Sequence, residues 1–215
     1  MTDSHSLPKG RVRLGCPLGL LDLSVSTFLP EFLERYPEIS VEVVGRDRKS
    51  DIVNDAIDVE IRSGPMLETQ TSLTMRKLGR SKTILVAGGS MSAQLSQVEK
   101  PEDLVAMPSV SMGVSGRQQA WELHDINGDE KSIAIEPRLV CRSLSALMHA
   151  VRSGIGIGLL LETACLAGLE SGELVQVLPD WQGLESQFYL VFTTSRGLPA
   201  RVRALIDFLV EKTKA

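Results

Sequence analysis

Arg11-Val12-Arg13-Leu14-Gly15-Cys16-Pro17-Leu18-Gly19-Leu20-Leu21 is the stretch on which the fold turns. Val12, Leu14 and Cys16 alternate with less apolar neighbours, the period of a strand with one buried face, and Pro17 and Gly19 then break the run. From Leu21 the period changes. Leu21, Val25, Phe28, Leu29, Phe32, Leu33 and Tyr36 fall on one helical face. Pro30 is expected to bend that helix by removing one backbone bond, and Pro37 to close it by pushing Tyr36 out of helical geometry.

Working outward, Ile39, Val41 and Val43 alternate again, Ser50 to Ala56 fits a short helix with Ser50 as N-cap, and Ile57, Val59 and Ile61 form a third alternating run ended by Gly64 and Pro65. Strand, helix, strand, helix, strand predicts a mainly parallel sheet with helices on its faces. Lys82 to Gly88 reads as a strand buried on both faces. Ser90 is the expected cap of one short helix, Pro101 opens another, and Val110 and Met112 suggest a strand. Asn127-Gly128, between Trp121 to Ile126 and Ser132 to Ile135, is a two-residue hairpin signal. Arg138 to Cys141, a helix carrying Leu144, Leu147, Met148 and Val151, and Ile155 to Leu161 repeat the strand-helix-strand order. A strand from Gln187 to Thr193 and a helix opened by Pro199, with Val202, Leu205, Ile206, Leu209 and Val210 on one face, complete the chain. No Pro-, Gly- or Ser-rich linker separates two halves, so two small α/β lobes joined by a short double crossover fit best.

The composition sets the outer bounds. The chain has 215 residues, 23 Lys+Arg against 27 Asp+Glu and 43% apolar residues, which excludes disordered and fibrous classes. A net charge of −4 argues against DNA binding by this chain alone. The densest basic stretch, Arg46 to Lys49, is interrupted by Asp47 and reads as a solvated loop. The longest apolar run, Ile155 to Leu161, is far shorter than the roughly 20 residues of a membrane span. The polar start, with Asp3, Ser4, His5 and Ser6, does not resemble a secretory signal, so a cytoplasmic protein with no membrane partner is expected. Cys16, Cys141 and Cys165 are too scattered for a disulfide framework and read as free thiols.

Catalytic signals are missing. His5, His124 and His149 have no neighbouring second metal ligand, Gly113-Val114-Ser115-Gly116 lacks the nucleophile-elbow spacing, and Gly154, Gly156 and Gly158 do not form a dinucleotide fingerprint. What remains are turns at the carboxyl ends of predicted parallel strands: Cys16 to Leu20, Ser63 to Pro65, Met112 to Ser115 and Cys141 to Ser143. In open α/β sheets a ligand sits there, where helix N-termini and backbone N–H groups point. The same turns serve equally as plain connections.

Three segments carry a family likeness: Gly10 to Gly15, Phe28-Leu29-Pro30-Glu31-Phe32-Leu33-Glu34-Arg35-Tyr36-Pro37, and Asp58-Val59-Glu60-Ile61-Arg62-Ser63-Gly64-Pro65. Together with Val151-Arg152-Ser153-Gly154-Ile155-Gly156-Ile157-Gly158, Leu174 to Trp181 and Pro199 to Val210, the chain resembles the effector-binding domain of LysR-type transcriptional regulators from Gly10 onward.

The resemblance implies an α/β, two-lobed, periplasmic-binding-protein-like (type II) fold with a small-molecule cleft between lobes. Residues 1–9 would be a linker remnant, 10–79 and 184–215 lobe I, and 80–183 lobe II. Pro17, Leu18, Gly19, Leu20, Ser63 and Gly64 would line the cleft from lobe I, and Met112, Gly113, Cys141, Arg142 and Ser143 from lobe II. Gly19 stands where many relatives carry a Ser or Thr that helps hold a carboxylate, and Leu159 to Leu161 make the wall more apolar. Arg142 would still hold a carboxylate through two parallel bonds, or else be a solvent-facing residue at a strand edge. Cys16 and Cys141 would end facing strands, as a redox pair or as ordinary buried thiols.

No catalysis, cofactor or metal is implied. The expected partners are a small organic effector such as a carboxylic acid, DNA only through an N-terminal winged helix-turn-helix, and a second copy of the chain, with a homodimer or a tetramer in the longer protein. Leu20, Leu23 and Thr27 would leave a second apolar helix face for that copy, paired with Leu144 to Arg152 of the partner. The alternatives are a solute-binding protein of a transport system and an enzyme on the same fold.

Overall fold

The computed structural model describes residues 8–45, 52, 55–64, 73–113, 119–193 and 197–213. The basic stretch at 46–49, the expected cap Ser50 and the turn residues Pro65, Val114 and Ser115 lie outside them. Ile52, Asp55 and Ala56, within the expected short helix, are turn residues, and Ala56 has φ +52°.

The chain forms two compact units, one running to Arg80 and resuming at Ser186, the other spanning Ser81–Glu185. In chain order the first unit holds β1 (Gly10–Cys16), α1 (Leu18–Leu20), a π-helical turn (Leu21–Val25), α2 (Ser26–Arg35), β2 (Ile39–Gly45), β3 (Val59–Ser63) and β4 (Leu73–Ser81). The second holds β5 (Thr83–Gly88), α3 (Ser92–Leu95), β6 (Ser109–Met112), β7 (Gln119–Asp125), β8 (Glu130–Ile135), β9 (Pro137–Cys141), α4 (Leu144–Arg152), β10 (Ile157–Leu161), α5 (Glu162–Ser171), β11 (Leu174–Gln176) and β12 (Trp181–Gln182). The chain returns to the first unit with β13 (Ser186–Thr193) and α6 (Ala200–Lys212).

In the first unit the sheet order is β2-β1-β3-β13-β4, with β1 parallel to β2 and β3 and β13 antiparallel to β3. Alternation in β1 puts Val12, Leu14 and Cys16 into one core with Phe32 of α2 and Val202, Leu205, Phe208 and Leu209 of α6. The Phe32 and Phe208 rings meet at 5.2 Å, and the Arg35 guanidinium lies 5.1 Å from the Phe208 ring centre while pairing with Glu211 at 2.8 Å. Leu33, one position beyond Phe32, is turned out of this core and 40% exposed, unlike its expected place in the apolar stripe. The predicted single helix also begins earlier, at Leu18, and passes through a wider turn. Tyr36 leaves helical geometry at φ −129°, ahead of Pro37.

The second unit is a mixed sheet of order β8-β7-β12-β5-β10-β6-β9, with β11 also on β5. Only β10, β6 and β9 run parallel, so the expectation of a mainly parallel sheet fails here. β7 and β8 are joined by a tight turn, which antiparallel strands allow, and β5 pairs antiparallel with β10, β11 and β12. The hairpin β7–β8 pairs His124 with Glu130 and Gln119 with Ile135. Its turn is longer than two residues: Asp125 N–H donates to Asp129 O, and only Gly128 (φ +90°) takes the left-handed conformation. Asp125 accepts bonds from the backbone N–H groups of Asn127 and Asp129, which fixes that loop. Ser90 lies within a 3-10 turn and caps nothing, whereas Pro101 opens a 3-10 helix (Pro101–Ala106) as its locked φ favours.

Candidate functional site

In the first unit β1 and β3 are parallel neighbours, with Leu14 opposite Val59 and Gly15 opposite Glu60. Their carboxyl ends therefore lie side by side, and so do the turns that follow. Pro17 starts the helix, its carbonyl accepting the N–H groups of Leu20 and Leu21 at 3.0 Å each, and no side chain caps this terminus. Leu18 is 43% exposed and lies against Gly45 at the end of β2. Ser63 is exposed, and Gly64 holds φ +129°, a conformation open only to glycine at low cost, while its N–H donates to Gln187 O on β13.

In the second unit the register sets Met112 opposite Cys141, and Gly113 N–H donates to Cys141 O at 3.2 Å. Met112, Gly113, Cys141, Arg142 and Ser143 are thus gathered at one end of two parallel strands. Met112 is 50% exposed, and Arg142 is exposed with no ion pair among the described residues. Ser143 caps α4, its hydroxyl accepting the N–H of Ala146 at 3.2 Å, so its oxygen is engaged by its own helix.

Two residues absent from the predicted set stand beside this group. Ser111, buried on β6, donates to the Gln119 side-chain oxygen at 2.9 Å, and the Gln119 amide lies against Gly113. A bond between strands that are not sheet neighbours leaves no periodic trace in the sequence.

The thiols differ in environment. Cys16 is buried, and burial, reinforced by the nearby charge of Asp22, pushes its thiol up to about 12. Cys165 is pushed up to about 12 by burial as well. Cys141 is half-buried, its sulfur 3.5 Å from Ser143 O. Cys16 is therefore a protonated core group rather than a reactive thiolate.

His124 accepts from the Gln182 amide at 3.1 Å, and His149 lies exposed on α4. Among the described residues no three His, Cys, Asp or Glu side chains gather to hold a metal ion. No helix among them is long and apolar enough to cross a membrane.

A family model described as the LysR substrate binding domain matches residues 5–214. The chain belongs to this family. Among its relatives is a protein named probable HTH-type transcriptional regulator LtrA, of Klebsiella pneumoniae, 26% identical over 98% of this chain and 68% of that protein. The full-length virulence activator AphB of Vibrio cholerae, a LysR-type regulator, is similar in structure with a TM-score of 0.83 and 28% identity, covering 95% of this chain and 69% of that one. CrgA, a LysR-type regulator of Neisseria meningitidis, shares the fold at a TM-score of 0.86 and 22% identity over 99% of this chain and 71% of that one.

The chain spans about two thirds of the length of the curated relatives it matches. Its fold is that of LysR regulatory domains, the two-lobed periplasmic-binding-protein-like type. Its relatives regulate transcription, which disfavours the transport alternative.

Proposed function

We propose that this LysR-family domain senses a small organic effector through the two groups of turns described above and passes the signal to a winged helix-turn-helix joined to it in the longer protein. The observation that carries the reading is the placement of the turns: in each unit they follow neighbouring parallel strands, the end of an open α/β sheet at which ligands bind. Pro17, Leu18, Gly19, Leu20, Ser63 and Gly64 are the candidate effector contacts of the first unit, and Met112, Gly113, Cys141, Arg142 and Ser143 those of the second. Arg142 is the charge that receives a carboxylate. The domain acts by binding and catalyses no reaction. Signalling is a population shift, in which the effector moves the domain only by its differential affinity for two arrangements, typically about 1 to 3 kcal/mol. The working protein is cytoplasmic and at least dimeric.

A thermal-shift screen of small carboxylic acids and aromatics tests this. A ligand at a hundred times its dissociation constant stabilises the fold by about 2.7 kcal/mol, a readable shift. Hits are expected to weaken in Arg142→Ala and in Gly19→Phe. Hits indifferent to both substitutions would place the ligand elsewhere.

A further inference from the structure

We propose that Gln187 is a positioning residue of the effector response, coupling the Ser63–Gly64 turn to the strand on which the chain leaves the first unit. The proposal rests on the effector reading above and deepens it.

Gln187 is the second residue of β13, just past the point where the chain re-enters the first unit. On one side its carbonyl accepts the N–H of Gly64 at 3.1 Å, one step beyond the register pair of Ser63 with Phe188. On the other side its side-chain amide donates to Gly79 O on β4 and, at 3.0 Å, to Phe188 O. Both N–H groups of the amide thereby meet main-chain carbonyls, which holds the side chain in one direction.

Gly79 stands two residues before Ser81, where β4 enters the second unit. There the path is fastened at once. Ser81 Oγ lies 3.4 Å from Thr163 Oγ1, and Lys82 O accepts the N–H of Glu162 at 2.9 Å, both at the start of α5. A single residue therefore joins a candidate effector turn, through its main chain, to a strand anchored in the other unit, through its amide.

Coupling between distant segments is carried by contiguous contacts that respond together. Hydrogen bonds suit this role because they are directional: a shift of the Gly64 main chain draws on the Gln187 carbonyl and so on the amide that holds Gly79. Glutamate in place of Gln187 keeps nearly the same shape but, when ionised, only accepts, so it loses both bonds and sets a carboxylate against the Gly79 carbonyl.

Amide NMR spectra of the purified 215-residue chain, without ligand, test the coupling. Gly64→Ala strains the turn through its φ of +129°, because a Cβ there meets no described atom within 4 Å. It is expected to displace the signals of Arg80, Ser81 and Lys82. In a Gln187→Glu background that displacement should fall at least about threefold, the factor a lost hydrogen bond supports. Gln187→Leu, which also lacks a donor, should act as Gln187→Glu does and replaces it should that variant fail to fold; Gly64→Asn likewise replaces Gly64→Ala. Equal displacement with and without the amide, or none in the natural background, would overturn the proposal, since a merely structural Gln187 leaves the response to Gly64 unchanged. Absence of any hit in the ligand screen would instead overturn the effector reading, and the signals of residues 80–82 would still decide whether Gln187 couples the two segments.

Discussion

Glu60 and Arg62 form an ion pair two residues apart on β3, with side chains only 6% and 13% exposed. They lie on the sheet face opposite the α2 and α6 core, in register with Val191 and Tyr189 of β13. Room for the Glu60 side chain comes from Gly15, where a Cβ would stand 2.9 Å from Glu60 Cγ. A withdrawn charge pair contributes little net stability, yet removing one partner takes away the opposite charge that compensates the other. Glu60→Ala is therefore expected to cost about 3 kcal/mol, while replacing both residues by Leu and Met costs much less. Urea unfolding of the single and double variants measures the difference, and equal losses would contradict it.

Stability should decline in alkali. The thiols of Cys16 and Cys165 titrate from 9.0 in the unfolded chain and about 12 in the folded one. Below pH 9 both states keep the proton. As pH rises from there toward the folded value, the unfolded chain releases it first, so folding loses about 1.4 kcal/mol per pH unit for each thiol. Unfolding curves between pH 8 and 11 should be steeper in pH for the natural domain than for Cys16→Ala, Cys165→Ala. Parallel curves would remove burial as the cause.

Thiol labelling separates the same residues. At neutral pH a disulfide reagent should modify Cys141 quickly and the two buried cysteines only on unfolding. Cys141→Ser should abolish the fast phase; a fast phase that persists would mean that the core opens readily.

Ser143→Ala should cost about 1 kcal/mol, because the Ala146 N–H loses its capping oxygen, whereas Ser143→Asp should retain most of the stability. Thermal unfolding without ligand reads this contribution apart from any role in binding.

The readable parts of the fold were those with a clear period. β1, β2 and β3 alternate, α4 and α6 carry full apolar faces, and the turns after β1, β3 and β6 are marked by glycine or proline at strand ends. β4 escaped because Arg76, Lys77 and Arg80 interrupt its pattern, as befits a strand at a sheet edge. α5 escaped because its buried side is made of small residues, Cys165 and Gly168, with Gly168 close against Leu174. In the candidate site, position along the chain pointed to the turns but not to Gln119, whose place depends on how the second sheet brings β7 to β6.

The order of the first sheet governs how the molecule is completed as it is made. β13 lies between β3 and β4, yet it is synthesised after all of Ser81–Glu185. When β4 leaves the ribosome, the strand it pairs with does not yet exist. The second unit carries its own sheet and core within one uninterrupted segment. The sheet and core of the first unit, by contrast, are completed only by β13 and α6, from beyond that segment.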